Sequence, residues 1–206
     1  MTTIVDESAN RLSLTVNARL VPLFFQLLGH GFYVTVQTGC SVKELLCNQL
    51  GIHEDYLVQR IQSVFLNGKV VDDVNTAIVL DDATLALSGA MPGLVGAILR
   101  SGGFYAPMRG QISHDKDNPA SRFKKGEITL KLLNLVAKEL GPTFLQQGVW
   151  IQGEELRSFI ERHAEALVTG CLAVERQDTP VEVASLSKAD WKTNLVFLVV
   201  NSESGG

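Results

Sequence analysis

Two hydrophobic periods alternate along this chain. RLSLTVNARL, residues 11–20, sets Leu12, Leu14 and Val16 against Arg11, Ser13, Thr15 and Asn17, which predicts a half-buried strand. VPLFFQLLG, 21–29, reads as a short helix with Pro22 in its first turn and Gly29 as its stop. GFYVTVQ, 31–37, is rich in β-branched and aromatic residues and predicts a second strand. In Thr38–Glu44, Gly39 allows a turn. Ser41 and Glu44 then have the spacing of a capping box, in which each side chain satisfies a backbone N–H that the first helical turn leaves open. Val42, Leu45, Leu46 and Leu50 fall on one face of that helix, and Gly51 ends it.

IQSVFLNGKVV, 61–71, has strand character broken by Asn67-Gly68, the pair that best suits a tight hairpin. The TAIVL and TLALS segments, set off by Asp72-Asp73 and Asp81-Asp82, complete a β-rich run to Ser88. HDKDNPASRFKKG, 114–126, is polar and turn-rich and reads as a connecting segment. EITLKLLNLVAKEL, 127–140, reads as an amphipathic helix with Ile128, Leu132, Leu135, Val136 and Leu140 inward, stopped by Gly141-Pro142. VWIQ (149–152) reads as a short strand and EELRSFIERHAEALV (154–168) as a helix. CLAVE, PVEVASL and NLVFLVV read as further strands. The expected class is α+β. A loose tail (1–10) precedes a first domain (11–103), a Gly-rich and polar connection (104–126) and a smaller α+β unit (127–206).

At 206 residues the chain is long enough to bury a core, and 46% hydrophobic with 19% charged residues is a globular composition. A formal net charge of −4, with Arg122–Lys125 the densest basic spot, argues against nucleic acid as a partner. Cys40, Cys47 and Cys171 are odd in number and lack Cys-x-x-Cys spacing, which fits a reducing compartment rather than a disulfide or zinc framework. The first residues, MTTIVDESANR, lack the basic start and apolar run of a signal peptide. The longest apolar stretch, Leu85–Leu99, is broken by Ser88, Pro92 and three glycines and falls short of the ~20 residues a spanning helix needs. A cytoplasmic protein without a membrane partner is the expectation.

Residues 61–96 carry a family resemblance. A strand turning at Asn67-Gly68, an acidic entry at Asp81-Asp82, a final strand at Leu85–Leu87 and a Gly-rich continuation resemble the ubiquitin-like β-grasp sulfur carriers. These include the small subunit of molybdopterin synthase and the thiamine-pathway carrier. The resemblance implies that residues 11–103 form a β-grasp-like mixed sheet with one main helix. It also implies chemistry at a free Gly-Gly carboxylate after the last strand. Here Gly102-Gly103 is internal, so that chemistry would need cleavage, while Gly205-Gly206 ends the sequence after a strand and a short polar stretch.

The most unusual composition lies between residues 88 and 110. Gly89, Gly93, Gly96, Gly102 and Gly103 let backbone approach a ligand or another strand. Arg100 and Arg109 bracket Phe104-Tyr105, and with Tyr105 they form a candidate pocket for an anion or a nucleobase. The glycines suit tight strand crossing and domain contact better than a ligand site. No Gly-Lys-Ser/Thr follows, so the segment is not a phosphate-binding P-loop. His114, Asp115 and Asp117 read as solvated loop residues rather than a metal set. His30, His53 and His163 read as turn or surface residues. Cys40, just before a helix N-cap, is expected to be the most reactive thiol, with Cys47 and Cys171 in the core. Trp150 and Trp191 read as core or interface anchors.

No recognisable catalytic set or cofactor motif emerges. The leading expectation is a non-enzymatic interaction or ligand-binding protein on a β-grasp scaffold. Its partner would be a protein or an anionic small molecule, and the Gly-rich segment would also suit a homodimer contact. The alternatives are an enzyme holding an anionic substrate at Arg100 and Arg109, and a sulfur carrier acting through Gly206.

Overall fold

A computed structural model of the chain describes residues 10–90, 96, 99, 100, 123–191 and 195–203. The elements begin with β1 (Arg11–Asn17), a 3-10 turn (Ala18–Leu20), α1 (Val21–His30), β2 (Phe32–Thr38) and β3 (Cys40–Ser41). Helix α2 (Val42–Glu44) continues as a π-helical turn (Leu45–Gln49). It is followed by α3 (Glu54–Gln59), β4 (Ser63–Leu66), β5 (Lys69–Val70), β6 (Ile78–Val79) and β7 (Thr84–Ser88). Next come β8 (Lys124–Leu133), α4 (Asn134–Gln147), β9 (Val149–Gln152), α5 (Gly153–Arg162), α6 (Ala164–Gly170) and β10 (Cys171–Arg176). The last are β11 (Thr179–Pro180), a 3-10 turn (Val183–Lys188) and β12 (Leu195–Glu203). The fold is mixed α+β, as the pattern predicted. No helix among the described residues is long and apolar enough to cross a membrane.

The chain divides into two units, Met1–Phe32 with Ala137–Gly206 and Tyr33–Val136. This division differs from the expected one at 103 and 127, for a reason visible in strand pairing. Strand β1 was expected to open the first domain. Instead it runs parallel to β12, with Leu12 opposite Leu198, and antiparallel to β10, with Leu14 opposite Val174. Its period of two specifies a strand with one buried face, and Leu12, Leu14 and Val16 are buried as expected. It does not specify a partner.

In the 33–136 unit the strand order is β2-β8-β7-β4-β5, beside a two-stranded β3-β6 ladder. Strand β7 runs parallel to β8, with Leu85 opposite Leu130 and Leu87 opposite Leu132. It runs antiparallel to β4, which makes an antiparallel hairpin with β5. Asn67 and Gly68, at φ +50° and +78°, form that hairpin's turn. Leu66, Leu85, Leu87, Leu130 and Leu132 are at most 1% exposed and make the core with Val42, Leu45 and Leu46 of the capped helix. The Ser41 half of the box is present, with Ser41 Oγ accepting the Glu44 N–H at 3.2 Å. The π-helical turn places Gln49 against β2. Its Oε1 accepts the Gln37 N–H at 2.7 Å and its Nε2 donates to the Gln37 carbonyl at 3.0 Å. One side-chain amide thus does for Gln37 what a neighbouring strand would do.

Residues 127–140, expected to be one helix, are instead a strand followed by a helix. Ile128, Leu130 and Leu132 alternate inward along β8, and the chain changes course at Asn134, φ +52°, where α4 starts. Leu-rich sequence with apolar residues at both two- and four-residue spacing satisfies either period, and the parallel pairing with β7 decides for the strand. Helix α4 also runs past Gly141-Pro142 to Gln147. Gly141 is needed for packing rather than termination, because a Cβ there would meet Leu28 and Phe25 at 3.0 Å.

The other unit has the strand order β11-β10-β1-β12-β9. Phe24 of α1 packs on Phe159 of α5, ring centroids 5.1 Å apart. Trp191 is 2% exposed and donates from Nε1 to the Leu186 carbonyl at 2.9 Å, so the core role expected of it is met. Trp150 is half-buried and packs on Phe197 at 5.0 Å.

Candidate functional site

The site is built around α3. His53, in extended conformation, precedes the helix, and Glu54 and Asp55 lie in its first turn, where the helix dipole favours acidic groups. One face of the short helix turns Leu57 into the core, while Val58 on the next position stands 74% exposed. The chain then passes through Ile61 and Gln62 into β4. A groove of about 350 Å³ opens here. Leu57, Ile61, Val64 and Val74 form its apolar floor, and Gln59, Gln62, Asp72 and Arg100 carry its polar groups. A concave apolar surface edged by a few polar side chains is the usual make-up of a small-ligand or peptide site.

Contacts at the end of β7 bring Arg100 to this groove. Ser63 and Ser88 lie opposite one another across β4 and β7, and both are buried. Ser63 Oγ donates to the Leu99 carbonyl at 2.9 Å, which fixes the backbone immediately before Arg100. Ser88 Oγ accepts from Asn134 Nδ2 at 3.1 Å, and the Ser88 carbonyl accepts the Gln62 N–H at 3.0 Å. Two buried hydroxyls with satisfied partners therefore organise the end of the final strand and the approach to Arg100.

Of the residues singled out in the Gly-rich segment, Gly89, Gly96 and Arg100 are described. Arg100 is exposed and lines the groove; Gly89 and Gly96 are buried and do not. Gly89 serves close packing: a Cβ there would sit 3.1 Å from Leu135 Cβ. Gly93, Gly102, Gly103, Tyr105 and Arg109 lie outside the described residues, as do His114, Asp115, Asp117, Gly205 and Gly206. Leu57, Gln59, Ile61 and Gln62 were not anticipated from sequence. No signal in the sequence singles them out, because whether adjacent Leu57 and Val58 both turn inward depends on what packs against so short a helix.

The remaining polar groups sit elsewhere. His30, at the end of α1 rather than in a turn, has Nδ1 2.9 Å from Glu155 Oε2, with both side chains about half exposed. His163 Nε2 lies 3.3 Å from Gln26 Oε1. His53 is exposed. The expectation of a reactive Cys40 is not met. It is 2% exposed, its Sγ donates to the Gln37 carbonyl at 3.1 Å, and burial, followed by the charge of Glu44, raises its pKa. Cys47 and Cys171 are half-buried rather than fully in the core, and burial lifts Cys171 to about 11. Among the described residues no group of three or more His, Cys, Asp or Glu could hold a metal ion.

A larger groove, about 430 Å³, lies in the other unit between the start of α5 and residues 187–191. It carries Glu154, Asp190, Arg157 and Lys188, with Arg157 paired to Glu161 at 2.8 Å, and the smaller groove likewise carries both signs in Asp72 and Arg100. The smaller groove has the more coherent apolar floor and contains the arginine that sequence pointed to. No family model matches the chain, and no curated protein or solved structure is similar to it at a significant level.

Proposed function

We propose that this is a non-catalytic binding protein whose 33–136 unit is a β-grasp scaffold with its strands in rotated sequence order. The observation that carries the reading is the order β2-β8-β7-β4-β5, with β7 parallel to β8 and antiparallel to β4. In the ubiquitin-type plan the first and last strands lie side by side and parallel at the centre of the sheet, and a helix crosses one face. Here β7 stands for the last strand and β2 and the α2 helix for the second strand and helix. The place of the first strand falls to β8, which comes later in the chain.

This arrangement bears on the carrier alternative. The end of β7 is where a sulfur carrier presents its free Gly-Gly tail. In this chain the backbone leaving Ser88 leads on to β8 in the same sheet. A carboxylate at Gly103 would require cleavage between the two parallel strands, so binding is the better-supported use of the scaffold. The groove beside α3 supplies a surface for it, with aliphatic contacts on the floor and Gln59, Gln62, Asp72 and Arg100 as polar groups toward a small molecule or protein partner, an anionic one if it engages the Arg100 side.

The test is a thermal-shift screen of small carboxylates and phosphates on the wild type, Arg100→Gln and Val58→Asp. A ligand at one hundred times its Kd stabilises by about 2.7 kcal/mol. A ligand that raises Tm in the wild type and much less in both variants supports the reading. One that stabilises all three equally places the site elsewhere. Intact-mass measurement on natively purified protein separates the carrier alternative, which requires a cut after Gly103 or a thiocarboxylate at Gly206.

A further inference from the structure

We draw no further inference here: the strongest candidate beyond the described groove, the exposed apolar patch of Val168 and Leu172 where α6 runs into β10, carries nothing because nothing in the structure shows what covers it.

Discussion

The Asp81 carboxylate accepts the Glu127 backbone N–H at 2.9 Å through Oδ1, while its Oδ2 takes Lys124 Nζ at 2.8 Å. A residue in the turn before β7 thereby holds the first residues of β8, and the Asp82 N–H adds a bond to the Glu127 carbonyl at 2.9 Å. The acidic turn that the sequence offered as an entry to the final strand is the fastening point of its parallel neighbour.

That fastening makes stability pH-dependent in two opposite ways. Lys124 and the Glu127 N–H lower the Asp81 pKa below its ordinary range. A depressed carboxylate stabilises the fold above its unfolded pKa and loses that contribution as pH falls through the folded value. The loss of Tm in Asp81→Ala should therefore be full at pH 7 and shrink towards about pH 2. Glu127 is raised, first by burial and then by Asp82 and Asp81. Its contribution is present below the ordinary Glu range and lost as pH rises through the raised value. Glu127→Gln should accordingly gain Tm relative to wild type at pH 7 and gain less at about pH 4. Melting curves across pH read both signs, and parallel profiles for the two variants would contradict the assignment.

Gly126 is required by the same contact. A Cβ there would clash with Asp81 Oδ1 and lie 2.8 Å from Thr38 Cγ2. Gly126→Ala should destabilise by about 1–3 kcal/mol, the range for forced overpacking. Adding Asp81→Ala should recover part of that loss, so the double-mutant cycle should be non-additive in chemical denaturation. Strict additivity would mean that the two residues do not share the site.

Two substitutions separate the strand reading of residues 127–133 from the helical one. Leu130 is fully buried on β8, while Leu135 is 37% exposed at the start of α4. Leu130→Ala should cost about 2–5 kcal/mol, as for a buried leucine. Leu135→Ala should cost clearly less. An amphipathic helix over 127–140 would reverse the order, because its apolar face includes Leu135 and omits Leu130.

The thiols should be quiet. All three cysteines have raised pKa values, with burial the leading cause in each case. At pH 7.5 a disulfide reagent such as DTNB should modify the native protein slowly and the urea-unfolded chain rapidly, since the thiolate is the nucleophile. Fast single-site labelling at Cys40 in the folded protein would restore the reactive-thiol expectation.

The rotated β-grasp reading can be tested by rewiring. A chain that places residues 123–136 ahead of 33–100 through a flexible linker of ~8 Gly/Ser residues should unfold cooperatively. Loss of cooperativity in that chain, with cooperative melting of the 33–136 segment in its native order, would count against the reading.

What the sequence by itself determined is local. The alternation in RLSLTVN, the Ser41 N-cap and the Asn67-Gly68 turn each depend on neighbours within a few residues, and each stands in the structure. Arg100 was singled out from its Gly-rich segment, and the structure places it on the groove beside α3. Pairing is not local. One buried face suits β1 to either unit equally well, and only its fit between β10 and β12 decides where it goes. Leu130 and Leu135 lie in a run that satisfies strand and helix periods alike, and β7 settles the matter by offering a parallel edge of backbone N–H and C=O groups that must be bonded. The groove depends on residues from α3, β4, the 72–74 turn and Arg100 being brought together, and that juxtaposition exists only once β4, β7 and the Ser63–Leu99 bond have set the path of the chain.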